Sequence, residues 1–343
     1  MKKLLSIIIP TYNMELYLEK CLNSITGNDI PNSLEIIIIN DGSKDSSLTI
    51  AKEFQIRYPQ IIIVIDKCNG NYGSCVNAAL TKANGKYIKI LDADDWFNTD
   101  SLKKFLILLE KENRDLILTN YNQTYTNGKI KHIKLPLENN KSYNDEILKS
   151  KVFYNMQMHA VTYKTSILKQ LNYIQTENIS YTDQEWIFYP MVNIKTITFF
   201  NLNLYQYLLG REGQTMSPQI ITKSISHNII IAMKMILYLK KISNTNTPQY
   251  FYLHQQLIKI IRNIFKLSLL PIHKSDFKLK EILEFDSFIR ETNLVLYKEI
   301  EQITIHSFFP FKLVKYFHKH NSCPPYIIRF INNKLKNMQT LLS

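Results

Sequence analysis

Two carboxylates stand one residue apart in the motif LDADDW, where an apolar run gives way to polar residues. Asp92 and Asp94 follow Tyr87–Leu91, at the end of a predicted strand. Oxygen ligands of this kind suit Mg²⁺ or Mn²⁺ bound together with phosphates, and such a cation stabilises a departing diphosphate. Asp94 is our first choice of metal ligand, and Asp92 would accept a hydrogen bond from ribose or reach the cation through water. Asp95 is at least as well suited to capping the following helix.

A further carboxylate stands at the end of an earlier apolar run. Asp41 follows Leu34–Ile39 in the motif INDGS. An Asp-Gly-Ser sequence is by itself typical of a plain turn. With the other polar strand ends present, a carboxylate that accepts a hydrogen bond from a base or a ribose is the better interpretation of Asp41.

Two more polar segments follow predicted strands. The first, PTYN, could simply end a strand and begin a helix, or Thr11 and the nearby backbone of Pro10 and Asn13 could cradle a nucleotide base. The second, NGNYGS, contains Asn69 and Gly73 and forms a turn before a helix, whose amides could meet a phosphate or a base. These are candidate nucleotide-binding residues.

The elements that position these residues are predicted from periodicity. Residues 4–120 alternate β-branched apolar runs with amphipathic stretches, which predicts a parallel sheet with helices on both faces. Ligands bind such sheets outside the carboxyl ends of the strands, so the polar strand ends should form one site. Helices should begin at Asp45–Ser47 and Asn98–Asp100. The predicted strands are Leu4–Ile9, Leu34–Ile39, Ile61–Ile65, Tyr87–Leu91 and Leu116–Thr119.

From about residue 121 the segments become shorter and alternate. An Asn127-Gly128 pair predicts a hairpin between residues 123–126 and 129–133. Further predicted strands are His159–Tyr163, Ile197–Phe200 and Leu204–Leu208, and a helix is predicted over Asp183–Val192. We interpret this part as an antiparallel extension that could hold a second substrate, and His159 as a core or acceptor-side histidine rather than a metal ligand.

Beyond about residue 220 the pattern is helical. We therefore predict a domain over residues 1–220, with a donor half to 120 and an acceptor half from 121, and a helical region over 221–343. Residues 308–317 mix aromatics with lysines, the composition of an interfacial helix drawn to anionic lipid. The alternative is a helical subdomain that packs its aromatics inward or against another subunit of a homo-oligomer.

Bulk composition limits the function classes. The chain has 343 residues and a net charge of +13, which favours an anionic partner. Its four cysteines lack a CxxC spacing and are read as reduced thiols of a cytosolic protein, and no apolar run is long enough to span a membrane. We expect a cytoplasmic protein, peripheral at the inner face of the membrane at most. No nucleic-acid-binding signature is present, and a dehydrogenase or methyltransferase would need a glycine-rich turn after the first strand.

The motifs SIIIPTYN, INDGS, NGNYGS and LDADDW, in this order and spacing, resemble the donor half of family-2 glycosyltransferases. The similarity continues to about residue 218, through HAVTY, TDQEW and LLGREGQTMS. The resemblance implies the GT-A nucleotide-diphospho-sugar transferase fold, a Rossmann-like mixed α/β sheet flanked by helices. It also implies that Thr11, Asp41, Asn69 and Asp92 surround a nucleotide, usually uridine, and that Asp94 ligates the metal.

The resemblance also suggests a catalytic base. Members of the family are usually inverting and commonly place Glu-Asp where this chain has Thr182 and Asp183. Asp183 is the candidate general base, with Glu185 as the rival, and a plain helix cap is the structural alternative for Asp183. Arg211, with Gln214 and Thr215, resembles the loop that closes over the diphosphate; the alternative is a surface arginine with no such role.

The sequence thus predicts a metal-dependent inverting glycosyltransferase of bacterial surface-glycan synthesis. It would use a nucleotide-sugar donor, a UDP-sugar first, with Mn²⁺ or Mg²⁺, and a saccharide or lipid-linked acceptor. The alternative is a degenerate, inactive GT-A-like scaffold that binds saccharide or membrane. The retained Asp41, Asp92, Asp94 and Asp183 argue against that alternative.

Overall fold

The structure, a computed structural model, describes residues 3–27, 30–211, 225–270, 279–306 and 309–322. The chain divides into two compact units, residues 1–214 and 215–343. The predicted boundary near residue 220 falls outside the described residues.

The first unit is built on a mixed sheet with a parallel half. Its strands β3, β2, β1 and β4 lie side by side and parallel, in that order. Ile7, Ile8 and Ile9 of β1 point to alternate faces of the sheet and have no exposed surface. Both faces of this strand are therefore covered, as expected for a parallel sheet. The four strands are β1 (Leu5–Thr11), β2 (Leu34–Asp41), β3 (Ile62–Lys67) and β4 (Tyr87–Ile90).

The sheet continues beyond β4 with changed direction. Strand β9 pairs antiparallel with both β4 and β6, β10 runs parallel to β6, and β5 pairs antiparallel with β10. Strands β7 and β8 attach to β6 and β10. These strands are β5 (Trp96–Phe97), β6 (Leu116–Tyr125), β7 (Ile130–Ile133), β8 (Ser142–Asn144), β9 (Val161–Lys164) and β10 (Thr196–Leu209).

Helices connect the strands of the first unit. The Asn98 side chain accepts a hydrogen bond from the amide of Ser101, so α4 begins where the sequence predicts. Ser46 is the N-cap residue of α2, and Asp45 accepts from the Ser47 amide. The helices are α1 (Glu15–Asn23), α2 (Ser47–Arg57), α3 (Asn71–Leu80), α4 (Thr99–Lys111), α5 (Lys151–Tyr154), α6 (Thr165–Gln170) and α7 (Asp183–Trp186).

The predicted hairpin forms, with Gly128 at φ +85° in its turn between β6 and β7. Other predictions for this part need correction. The predicted helix Asp183–Val192 ends at Trp186 and is followed by a 3₁₀ turn over Tyr189–Asn193, which contains Pro190. The two strands predicted over 197–200 and 204–208 are one irregular strand, β10, and the strand predicted from His159 begins at Val161.

The second unit is mainly helical, as predicted. Its elements are α8 (Ile225–Lys240), α9 (Pro248–Leu269), α10 (Leu279–Thr292), α11 (Leu294–Ile300), β11 (Thr304–His306), β12 (Phe309–Lys312) and α12 (Leu313–His320). The single interfacial helix predicted over 308–317 is wrong, because β11 and β12 form an antiparallel pair there and α12 begins only at Leu313. Phe317 is buried against Phe265. Among the described residues, no helix combines the length and apolarity needed to cross a bilayer.

A histidine links three elements of the second unit. His318 lies between two carboxylates, with Nε2 at 2.8 Å from Asp286 Oδ1 and Nδ1 at 2.9 Å from Glu301 Oε1. The Tyr297 ring stacks on the imidazole at 4.1 Å. Burial lowers the pKa of His318, but the hydrogen bonds and charges of the two carboxylates outweigh burial and raise it. The charged imidazole therefore ties α12 to α10 and to the turn after α11.

Candidate active site

The four parallel strands bring their carboxyl ends to one edge of the sheet. At the end of β2, Asp41 is buried, and its Oδ1 accepts hydrogen bonds from Lys67 Nζ at 2.6 Å and from the Gly70 amide at 3.0 Å. Asn69 donates through Nδ2 to the Asp41 carbonyl oxygen at 3.0 Å. The predicted residues Asp41 and Asn69 therefore belong to one hydrogen-bonded cluster, in which Lys67 partly neutralises the carboxylate.

The end of β1 lies beside this cluster in the sheet. Thr11 is buried and pairs with Asn40 in the strand register. Asn13 adopts φ +53° in the turn after the strand, where its Oδ1 accepts from the Lys44 amide at 2.8 Å. Pro10 is half-buried within the strand. This turn fixes the backbone at the strand end, next to Asp41.

Gly73, in the first turn of α3, lies where the neighbouring backbone leaves no room for a side chain. A Cβ at this position would come within 2.0 Å of the carbonyl oxygen of Thr176. The segment around Thr176 is also hydrogen-bonded to α3, because Asn77 Nδ2 donates to the Gln175 carbonyl at 2.9 Å and Asn77 Oδ1 accepts from the Gln175 amide at 2.8 Å. Gly73 therefore permits close backbone packing, and its predicted contact with a nucleotide stays a prediction.

Asp92 follows β4 and is held by a tyrosine. Tyr72, from the first turn of α3, donates its hydroxyl to Asp92 Oδ1 at 2.8 Å. Burial, and next the charge of Asp94, raise the pKa of Asp92 to about 7, and the charge of Asp183 acts in the same direction. The surroundings of Asp92 therefore disfavour its negative charge, and a positively charged ligand would stabilise it.

Asp94 forms an ion pair with an arginine 117 residues later in the chain. The Nε of Arg211, just after β10, lies 2.5 Å from Asp94 Oδ2, and both side chains are nearly buried at 13% and 11% exposure. The guanidinium also lies over the Tyr17 ring, 5.5 Å from its centroid. The structure thus brings together the predicted metal ligand and the predicted diphosphate ligand. Gln214 and Thr215 lie outside the described residues.

Asp95 has a structural role, but not as the predicted helix cap, which is Asn98. Its Oδ2 accepts from the Tyr205 hydroxyl at 2.6 Å, and its Oδ1 accepts from the Leu208 amide at 2.7 Å. The Tyr205 hydroxyl in turn accepts from the Asp92 amide at 3.1 Å. Asp95 and Tyr205 therefore fasten the acidic segment to β10.

The structure separates the two candidate bases. Glu185 is buried, and its two carboxylate oxygens accept from the amide and the hydroxyl of Thr176, at 2.7 and 2.8 Å. Asp183 begins α7, its pKa is raised by burial, and its charge raises the pKa of Asp92 and of Tyr72. Asp183 is thus electrostatically coupled to the acidic segment, whereas the carboxylate of Glu185 anchors a loop.

Sequence reasoning missed the residues that support the carboxylates. Tyr72 stands inside a recognised motif, and Tyr205 in a recognised strand, but nothing in their local pattern shows which acids they contact. Lys89 carries a usable signal, because it is a lysine inside the apolar run of β4. Its Nζ donates to the carbonyl oxygens of His159 at 2.8 Å and Val161 at 3.0 Å, and burial lowers its pKa to about 7.

The donor set fits a divalent cation. Asp92, Asp95 and His159 each place one ligand atom within 4.8 Å of the other two. Burial, and next the charges of Asp94 and Asp92, raise the pKa of Asp95 well above its ordinary value. Carboxylates that repel one another in a buried site are stabilised by a bound cation. The acidic segment could therefore hold Mn²⁺ or Mg²⁺.

Comparisons with known proteins agree with this arrangement. The chain is 26% identical to the poly(ribitol-phosphate) beta-N-acetylglucosaminyltransferase TarS of Staphylococcus aureus over 237 residues, 67% of this chain and 40% of that protein. It is also 26% identical to the minor teichoic acid biosynthesis protein GgaB of Bacillus subtilis over 306 residues, 84% of this chain and 33% of that protein. The chain thus spans about two fifths of TarS and one third of GgaB.

The fold is that of a solved structure. The crystal structure of S. aureus TarS 1–349 in complex with UDP-GlcNAc superposes with a TM-score of 0.61 at 22% identity, covering 84% of this chain and 81% of that chain. The family model described as "Glycosyl transferase family 2" matches residues 6–172, which contain the four parallel strands and the acidic segment. Residues 6–172 therefore match the predicted family, and the likeness to TarS confirms the predicted GT-A fold.

Proposed function

We propose that the chain is a metal-dependent inverting glycosyltransferase that moves a sugar from a UDP-sugar to a hydroxyl of a surface-glycan acceptor. One observation carries the proposal: Asp92 and Asp94 follow β4 and Asp183 begins α7, yet the charges of Asp94 and Asp183 both act on Asp92 at the carboxyl edge of the parallel strands. The relatives named for poly(ribitol-phosphate) substrates support an acceptor of the polyol-phosphate type. The net charge of +13 suits such an anionic polymer.

The donor side is assigned to the residues at the strand ends. Asp41, held by Lys67, accepts hydrogen bonds from the base or ribose together with Thr11 and Asn69. Asp92 and Asp94 would hold the divalent cation, which would supply positive charge next to the diphosphate. UDP-GlcNAc bound to the TarS structure supports a uridine donor for this fold.

Asp183 is assigned as the general base. Its carboxylate accepts the proton of the attacking hydroxyl while the UDP leaves from the other face of the sugar, which inverts the anomeric carbon. Because its pKa is raised by burial, Asp183 is a stronger base than an exposed aspartate. The Arg211 guanidinium donates to the departing diphosphate as a charged hydrogen-bond partner.

A peripheral location at the inner face of the membrane is part of the proposal. Lys315 and Lys319 on α12 are exposed, and the described chain after Glu301 contains no acidic residue. Phe317 is buried, so attraction to anionic headgroups would come from the lysines. Co-sedimentation with vesicles containing anionic lipid, at low and high salt, tests this part.

The experiment that tests the function is a donor panel. UDP-, GDP-, CMP- and dTDP-linked sugars are compared by thermal shift with and without Mn²⁺, because a ligand that binds the native state raises its apparent stability. Hydrolysis of the stabilising donor, and its transfer to a poly(ribitol-phosphate) acceptor, are then measured for the native chain and Asp183→Asn. We expect a Mn²⁺-dependent shift with UDP-sugars and turnover that Asp183→Asn abolishes. Donor binding without any turnover would instead indicate an inactive scaffold.

A further inference from the structure

His159 occupies a rigid position beside the acidic segment. It lies in a 3₁₀ turn, Met158–Ala160, and is 7% exposed. Aromatic rings surround the imidazole: its centroid lies 4.2 Å from the ring of Tyr207, 4.7 Å from that of Tyr205 and 5.2 Å from that of Tyr121. The backbone of the turn is held as well, by the hydrogen bond from Lys89 Nζ. The imidazole therefore cannot turn away from the carboxylates without disturbing this packing.

One nitrogen of this imidazole is buried without a partner. Within the part of the chain that the structure describes, Nδ1 of His159 has no hydrogen-bond partner. Burial, and next the charge of Lys89, lower the pKa of His159 to about 3, so the ring is neutral near pH 7 and one nitrogen keeps its lone pair. An unpartnered buried polar atom costs about 1–3 kcal/mol. Such an atom calls for an explanation, of which a bound ion is one.

The groups that face the imidazole supply the rest of a coordination site. One ring nitrogen of His159 and one oxygen each of Asp92 and Asp95 lie within 4.8 Å of one another, as donor atoms around a single cation do. Tyr72 and Tyr205 hold the two carboxylates in place through hydrogen bonds of 2.8 and 2.6 Å. The three donor atoms are therefore close together, and the two carboxylates among them are held in place.

We propose that His159 is a nitrogen ligand of the divalent cation, together with Asp92 and Asp95. His159 and Asp95 thus join Asp92 and Asp94, the ligands assigned above, and Asp94 is paired with Arg211 in the nucleotide-free chain. The inference rests on the proposed function, because the cation is the one that assists donor cleavage. An imidazole ligand suits Mn²⁺ and other transition metals, whereas Mg²⁺ prefers oxygen ligands. The site therefore selects Mn²⁺ over Mg²⁺.

Pulsed electron paramagnetic resonance of Mn²⁺ bound to the full chain tests this assignment. A directly bound imidazole gives a ¹⁴N coupling, which we expect in the native chain and in the control His132→Gln, whose histidine lies on an exposed face of β7. We expect the coupling to disappear in His159→Gln. Mn²⁺ affinity should fall at least about tenfold, since loss of outer-shell partners alone costs about 10–100-fold. Mg²⁺ affinity should change less.

Several results would overturn the assignment of His159 as a ligand. They also distinguish failure of this assignment from failure of the proposed transferase function. Mn²⁺ bound to the native chain without ¹⁴N coupling, or a coupling that persists in His159→Gln, removes His159 as a ligand and leaves the transferase intact. If His159→Gln does not fold, the presence or absence of ¹⁴N coupling in the native chain still tests the assignment. No Mn²⁺ binding even with UDP present overturns both the ligand assignment and the metal dependence. Sugar transfer measured in EDTA then shows whether the transferase activity itself remains.

Discussion

Removal of the Arg211 side chain should tighten divalent-cation binding in the absence of nucleotide. The guanidinium lies 2.5 Å from Asp94 and lowers the pKa of Asp92, so it already supplies positive charge where a cation would bind. In Arg211→Gln this charge is absent, and the carboxylates would be neutralised by the metal instead. The same variant should bind UDP more weakly when Mn²⁺ is present, because it lacks a charged donor to the diphosphate.

The size of the effect follows from the geometry. Two charges about 4 Å apart interact by roughly 4 kcal/mol at an effective dielectric constant of about 20. In the native chain a bound cation displaces Arg211 from Asp94, and hydration of the displaced guanidinium offsets part of this energy. The net contribution of hydrogen bonds to charged groups, about 1.5–3 kcal/mol, is therefore the better measure of the cost of displacement. At 1.4 kcal/mol per factor of ten, Mn²⁺ affinity should rise by about 10–150-fold.

The assay is titration of the nucleotide-free chain with Mn²⁺, followed by the loss of the free-ion paramagnetic resonance signal. Arg57→Gln is the matched control, because Arg57 is an exposed arginine of the same unit, on α2 over the Phe54 ring. Its Mn²⁺ affinity should equal that of the native chain. If Arg211→Gln binds Mn²⁺ no more tightly than Arg57→Gln, the guanidinium does not compete with the cation and the reasoning is refuted.

Three further predictions concern the base, the second unit and the packing of α3. Asp183→Asn should retain UDP affinity by calorimetry while transfer falls by about 10²–10⁴-fold; near-native turnover would exclude Asp183 as the base. Because the pKa of His318 is raised in the folded state, its contribution to stability is present below about pH 6.5 and is lost as the pH rises through the folded value. Thermal unfolding should show this slope in the native chain and in His320→Gln, but not in His318→Gln. Gly73→Ala should unfold at lower denaturant than the native chain, since a Cβ there comes within 2.0 Å of the Thr176 carbonyl oxygen; an unchanged midpoint would contradict the close approach.

Local sequence patterns were sufficient to predict the parallel half of the sheet. Runs of β-branched residues such as those of β1 and β2 can only be buried on both faces, and their polar ends then meet at one edge. The position of β9 between β4 and β6 was not predictable in this way, because the pairing joins segments far apart in the chain. The same holds for β11 and β12, where local helical composition was overridden by pairing between strands.

The site was predictable to the extent that strand ends were recognised. Asp41, Asp92 and Asp94 follow apolar runs and could be found from the sequence, but their hydrogen-bond partners could not. Tyr72 lies 20 residues before Asp92, and Tyr205 lies 110 residues after Asp95. Contacts over such separations form only when the sheet has assembled, so no motif around these tyrosines could show them.

The close approach of Gly73 to residue 176 limits how such enzymes can be recombined. The donor-side helix α3 and the loop that leads to Asp183 meet through backbone atoms and through the paired amide hydrogen bonds of Asn77. The spacing between α3 and the loop before Asp183 is therefore set by a close main-chain approach at Gly73 and by the Asn77 side chain. A chimera built to change the acceptor should exchange residues 71–80 and 173–186 as one block, whereas the exposed tip of the β6–β7 hairpin can be exchanged alone.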